Sequence, residues 1–264
     1  MRDFKIILQL KKKIIHIGYP RTGTTYLQRF YFPELLKKLD DNTELFSDEG
    51  LSGNVFNDDL LKPQVLYNRH KNSKIIITIR SQLTIIPSLY NIYLKSGGKK
   101  KYGGYVNDVI TNKKLYYYDL IAEYCRIFGN ENVLVLVYEE LKDNKELFLN
   151  RIQKFCGVEI EVKSDLPNKA LNVRRNELQT FVTRLMNILL MIPFSTHHEI
   201  AGGWRMNIRR YAESLCSRGC NKIFLAFHNK SYLQYEDILI NEYTEQNNLL
   251  EENYKLSLKD YNYP

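Results

Sequence analysis

The chain has 264 residues, enough for one large α/β domain with a full core, so a second domain is not required. Its 44% hydrophobic and 26% charged content is ordinary for a globular protein, and no apolar run reaches the ~18 residues that span a bilayer. A net charge of +8 favours an anionic partner, while four cysteines are too few for a disulfide scaffold and read as reduced thiols. In MRDFKIILQLKKK the basic run follows the apolar piece and no small-residue cleavage site appears, so a cytoplasmic chain is expected.

Ile14, Ile15 and Ile17 predict a buried strand ending at Gly18, followed by the tight turn Tyr19-Pro20-Arg21-Thr22-Gly23. Thr24-Thr25 opens a helix predicted to reach Leu39, with Pro33 bending or interrupting it. A helix start leaves backbone N–H groups unpaired and carries the positive end of the dipole, so strand, loop and helix together suit an anion. The spacing from Gly18 to Gly23-Thr24-Thr25 approaches the nucleotide P-loop, but Thr24 stands where that motif needs Lys, and the basic residue is Arg21.

Asp40-Asp41-Asn42 turns the chain into a short strand at Glu44–Ser47, and Asp48-Glu49-Gly50 leaves its C-terminal end. A helix ending near His70 precedes Ser73 to Arg80, whose run of isoleucines predicts a strand covered on both faces. Arg80 follows it abruptly. Thr84 is the predicted N-cap of the next helix, placing Pro87 at its third position and Ser88, Tyr90 and Tyr93 along it. Lys95 to Asn107 holds two Gly-Gly pairs around three lysines and reads as a mobile loop. Lys114 to Phe128 predicts a helix, Asn132 to Val137 a buried strand, and Asp143 to Cys156 an amphipathic helix with Leu147, Phe148, Ile152 and Phe155 inward.

Arg175 to Leu190 predicts a further helix, ending in ILLMIPF (Ile188 to Phe194), the most apolar stretch of the chain. Core packing is the preferred reading of that stretch, with a membrane-surface or partner contact as the alternative. A last helix is expected from Tyr235 to Asn253. Alternating strands and helices imply a central parallel sheet flanked by helices, P-loop-like, with a helical C-terminal region: residues 1–160 as the α/β core and 161–264 as the helical part of the same single domain. Ligands collect beyond the carboxyl ends of such strands, so one mouth is expected to hold Arg21, Glu49, Arg80 and Tyr138.

The loop GYPRTGTTYLQ resembles the 5′-phosphosulfate loop of the PAPS-dependent sulfotransferases, usually Pro-Lys-Ser/Thr-Gly-Thr-Thr, with Arg21 where Lys is usual. RSQLTIIPSLYNIYL resembles that family's 3′-phosphate motif. LNVRRNELQ and the segment NEYTEQNNLLEENYKLSLKDYNYP are similar to bacterial members that act on carbohydrates. The resemblance implies transfer of sulfate from PAPS, with no metal required, to a hydroxyl of a glycan or glycolipid. The donor ligands it implies are Arg21, Thr22, Gly23, Thr24, Thr25, Arg80 and Ser88, with Arg21 also stabilising the leaving phosphate.

Glu49 is the chosen general base because a Glu often sits just after the family's second strand; a charged turn is the bland alternative, Asp48 the fallback and His16 the remoter choice. Glu139 and Glu140 are read as structural. Arg174 and Arg175 are candidates for closing over the donor, and Lys99–Lys101 for a lid or basic clamp, against solvated surface in each case. Cys216 and Cys220 have no second pair to complete a zinc site, and His197-His198 reads as loop. The competing functions are a P-loop kinase or NTPase, weakened by the missing Lys at position 24, and a basic binding module without turnover. No nucleic-acid motif appears, and the expected placement is cytoplasmic, with peripheral contact at the inner face of a membrane as the alternative.

Overall fold

The computed structural model describes residues 12–52, 63–160, 177–195, 203–219 and 234–264. Four strands form its sheet: β1 (Lys12–Gly18), β2 (Thr43–Ser47), β3 (Ser73–Ile79) and β4 (Val133–Val137). All pairs are parallel, in the order β2-β1-β3-β4. Alternation along the strands sends Ile15, Ile17, Ile75, Ile77 and Val137 into one core and Ile14, Ile76 and Leu136 into the other. Both sheet faces are therefore apolar, which is why the isoleucine run of β3 shows no polar side.

The first core is closed by α4 (Gln82–Lys95), α5 (Tyr102–Thr111), α6 (Tyr117–Phe128) and α11 (Glu236–Tyr254). The second is closed by a helical run from Thr24 and by α8 (Lys145–Cys156). That run is α1 (Thr24–Tyr26), a π-helical turn (Leu27–Tyr31) and α2 (Phe32–Leu36). It stops three residues short of the predicted end, and the predicted interruption falls just ahead of Pro33. Pro33 has no N–H to continue the regular ladder, and the turn before it closes with Phe32 N–H donating to the Leu27 carbonyl. The remaining helices are α3 (Pro63–Arg69), α7 (Tyr138–Asp143), α9 (Glu177–Leu189) and α10 (Trp204–Gly219).

Several local expectations are corrected. Helix α4 begins at Gln82, with Ser81 as N-cap and Thr84 inside the first turn, its hydroxyl donating to the Ser81 carbonyl. Pro87 therefore lies in the helix interior. The expected loop Lys95–Asn107 is helical from Tyr102, because Tyr102, Tyr105, Val106 and Val109 present one buried face at helical spacing and their burial outweighs the two glycines. Helix α6 starts at Tyr117, three residues later than predicted. In α8 the inward residues are Phe148, Leu149 and Ile152, while Leu147 is exposed. In ILLMIPF only Ile192 is fully buried; Ile188, Leu189, Met191 and Phe194 are exposed, contrary to core packing. Among the described residues no helix is long and apolar enough to cross a membrane.

Candidate active site

The loop after β1 is shaped by two left-handed residues, Arg21 (φ 75) and Gly23 (φ 85). Gly23 suits that conformation because it has no Cβ, and a Cβ there would lie 2.7 Å from Leu141 Cδ2. Arg21 is a non-glycine residue with positive φ, a costly conformation that the surrounding contacts hold. Gly18 admits the returning loop: a Cβ on it would meet Thr24 Oγ1 at 2.6 Å. The N–H groups of Gly23, Thr24 and Thr25 have no acceptor within the helix they open, as at any helix start.

Contacts bring the two arginines together. Arg80 Nη1 donates to the Arg21 carbonyl oxygen at 2.9 Å, and Arg21 Nε donates to Ser88 Oγ at 2.8 Å. Ser88 thus meets the loop arginine, while Arg80 Nε donates to Thr84 Oγ1 and its guanidinium stacks 4.9 Å from the Tyr138 ring centre. The same ring carries Lys142 Nζ at 4.7 Å on its helix. Sequence reasoning missed Lys142, although its place four residues after Tyr138 on a helix was a readable signal. Burial and then Arg80 lower the proton affinity of Arg21.

Glu49 opens a short 3₁₀ turn, Glu49–Ser52, immediately beyond β2. Burial raises its carboxyl above the ordinary value, opposed by the Thr24 hydroxyl and the Arg21 guanidinium and reinforced by Asp48. Thr24 Oγ1 is buried at the start of α1, and its hydroxyl is the neighbour that most favours the ionised form of Glu49. Asp48 is exposed, and its Oδ1 accepts from Gly50 N–H at 2.8 Å, a turn-forming role. The four residues expected at one mouth, Arg21, Glu49, Arg80 and Tyr138, are therefore neighbours. Thr25 is half-buried beside them.

Thr22 differs from the other loop positions. Its hydroxyl donates to the Tyr19 carbonyl at 2.6 Å and its N–H to the same oxygen at 3.3 Å, so both donors shape the turn instead of facing a ligand. His16 is fully buried between strands, its ring nitrogens bonded to Ser47 Oγ (2.8 Å) and Thr78 Oγ1 (3.0 Å), and burial pushes its pKa down to about 3. It is a neutral cross-strand tie rather than a base.

Glu139 and Glu140 are supports. Glu139 Oε1 accepts from Ser81 N–H at 3.2 Å and Oε2 from the Tyr263 hydroxyl at 3.2 Å; Glu140 Oε2 accepts from Arg151 Nη1 at 3.0 Å. The Ser81 hydroxyl donates to the Asn262 carbonyl, and the Tyr117 hydroxyl to that of Arg80. The strand end bearing Arg80 is thus gripped from α6, α7 and the segment 262–264.

Lys99 and Lys100 lie past the far end of α4, about 20 Å of helix from Arg80. They line a cavity of about 460 Å³ with Tyr93, Tyr105 and Phe194, away from the loop. Arg174, Arg175, His197, His198 and Cys220 lie outside the described residues. Among the described residues no three His, Cys, Asp or Glu side chains converge as metal ligands.

The sequence model of the sulfotransferase domain matches residues 11–182, a span holding every side chain of the mouth. A search of curated proteins finds no match. Among solved structures, a sulfotransferase from Alicyclobacillus acidocaldarius is similar at 15% identity, covering 67% of this chain and 95% of its own, with a TM-score of 0.45. Mouse sulfotransferase SULT7A1 complexed with PAP is similar at 14% identity, covering 91% of this chain and 89% of its own, with a TM-score of 0.44. With the family's domain model matching well over half of this chain, and a parallel sheet that carries the loop at its C-terminal edge, the chain belongs to the sulfotransferase family.

Proposed function

We propose that the chain transfers a sulfuryl group in line from PAPS (3′-phosphoadenosine 5′-phosphosulfate) to a hydroxyl of a glycan or glycolipid. In this reading the acceptor oxygen attacks sulfur and its proton passes to Glu49. The bond between sulfur and the 5′-phosphate oxygen breaks, leaving a sulfate ester and adenosine 3′,5′-bisphosphate. Arg21 and the loop N–H groups stabilise the charge gathering on the departing 5′-phosphate. A guanidinium keeps its proton, so Arg21 serves as a fixed charge and not as an acid. Arg80 and Ser88 receive the 3′-phosphate through charge-assisted bonds worth about 1.5–3 kcal/mol each.

One observation carries the donor reading: Arg80 reaches the backbone of Arg21, which sets two cationic strand ends on a single loop. Glu49 stands beside that loop with its carboxyl raised toward the range a base needs. The carbohydrate acceptor is supported by the resemblance of LNVRRNELQ and the C-terminal segment to bacterial carbohydrate sulfotransferases. Action in the cytoplasm, at the inner face of a membrane, fits that acceptor class.

Titration calorimetry tests the donor. Adenosine 3′,5′-bisphosphate should bind in preference to ATP–Mg²⁺, and Arg80→Ala should remove about tenfold or more of its affinity while barely changing that of the 3′-hydroxyl analogue. Preference for ATP–Mg²⁺, or equal losses for the two adenosine ligands, would contradict the assignment. Tight donor binding without sulfate transfer across a broad acceptor panel would make the chain a binding module.

A further inference from the structure

Helix α10 is built inside out. Its buried face carries Met206, Arg209 and Glu213, and its outward face carries Trp204, Ile208, Tyr211 and Leu215, all exposed. At about 100° per residue the four outward side chains fall within a stripe about 60° wide, opposite the buried three. The buried polar pair is accounted for. Arg209 Nε lies 3.3 Å from Glu213 Oε1, and Arg209 Nη2 donates to the Lys95 carbonyl at the end of α4. Glu213 Oε1 also accepts from the Thr183 hydroxyl, and Asn187 Nδ2 donates to the carbonyls of Leu94 and Gly98. These bonds pin α9 and α10 to the core and fix which side of α10 faces outward.

The end of α9 has the same character: Leu189 is 62% exposed and Met191 74%, as Trp204 is at 65% and Tyr211 at 68%. Of the fifteen large apolar side chains exposed among the described residues, nine fall between Phe181 and Leu215, so the exposure is concentrated on the two mutually packed helices α9 and α10 and the segment that follows α9. Its charge is one-sided. Arg205 and Arg210 are exposed on opposite sides of the helix, about 60° and 100° beyond the two edges of the stripe, and Arg205 lies 5.4 Å from the Trp204 ring centre. The one carboxylate among the described side chains of α9 and α10 is Glu213, which is buried.

We propose that this α9–α10 face docks on an anionic lipid bilayer surface, with the stripe entering the boundary between headgroups and acyl chains and the two arginines reaching lipid phosphates. A helix with Trp and Tyr among aliphatics and arginines at the margins is suited to that plane, where the aromatic bodies are apolar and their polar tips wet. A second copy is a poorer occupant, because two-fold packing of the face on itself would bring arginine rows of like charge together without a carboxylate to separate them. The inference stands independently of the sulfuryl-transfer reading.

Trp204 is the only tryptophan in the chain, so its fluorescence reports this face directly. The full chain should show a blue shift with mixed phosphatidylglycerol–phosphatidylcholine vesicles and quenching by brominated acyl chains, weakened by salt and absent with pure phosphatidylcholine. Ile208→Asp and Leu215→Asp, at exposed positions, should each lower vesicle affinity about tenfold with unchanged circular dichroism. Arg205→Gln with Arg210→Gln should also lose about tenfold and reduce the salt dependence. An unshifted emission, equal binding to pure phosphatidylcholine, or an emission already blue without vesicles because the face is covered by its own chain would overturn the proposal. So would a dimer in light scattering that Ile208→Asp dissolves. Donor calorimetry reads a different site, so the two readings fail separately.

Discussion

At Glu49, one carboxyl answers to three neighbours of different sign: burial and Asp48 favour its protonated form, whereas Thr24 and Arg21 favour the ionised one. The balance leaves its folded-state value raised. A carboxyl raised on folding contributes stability that is fully present below the unfolded value and is lost as pH rises through the folded one. Glu49→Gln should therefore raise the denaturation midpoint at neutral pH, with the gain vanishing in acid, while turnover falls by about 10²–10⁴ and donor affinity holds. Kinetics and urea midpoints across pH check both halves. A Gln variant that turns over normally removes Glu49 from the mechanism. Arg21 shows a different economy of position: its positive φ is tolerated because its carbonyl is bonded by Arg80 and its side chain by Ser88.

Elements carry the next set of consequences. Strand β1 is tied to β2 and β3 by ladder bonds and by His16, which spans Ser47 and Thr78. Its pKa of about 3 lies below the ordinary value of 6.5, so the unfolded chain binds the extra proton first. Stability is full above the unfolded value and is lost as pH falls from about 6.5 toward 3. His16→Gln should flatten that acid slope, by up to about 1.4 kcal/mol per pH unit, in denaturant midpoints measured from pH 7 to 4. An unchanged slope would mean that other groups dominate acid unfolding. Helix α5 shows how tertiary burial overrides local propensity: the Tyr235 hydroxyl sits where a Cβ on Gly103 would be, so the residue that weakens the isolated helix leaves room for the Tyr235 side chain.

Across the whole molecule, the donor-side strand end depends on residues far away in sequence. Tyr263 is buried and its hydroxyl supports Glu139, while Asn247 Nδ2 donates to the Pro264 carbonyl and Ser81 to that of Asn262. Tyr263→Phe keeps the ring and removes one donor from a partly buried carboxyl that retains others, so a loss of about 0.5–1.5 kcal/mol is expected in urea unfolding. A neutral result would show that Glu139 is satisfied without the Tyr263 hydroxyl. The strand–loop–helix at Gly18–Thr25, the apolar strands, their parallel arrangement and the grouping of Arg21, Glu49, Arg80 and Tyr138 were all legible in the chain, because apolar runs and glycine turns are local signals and strand ends in a parallel sheet share one edge. Partners set by distance across the fold were not legible: Ser88 meeting Arg21, Thr22 spending its donors on Tyr19, α5 forming through its glycines, and the inverted polarity of α10. Each of these depends on what lies opposite a side chain after packing. A single sequence records each residue's chemistry but not the neighbour that completes it, and only the tertiary structure supplies that neighbour.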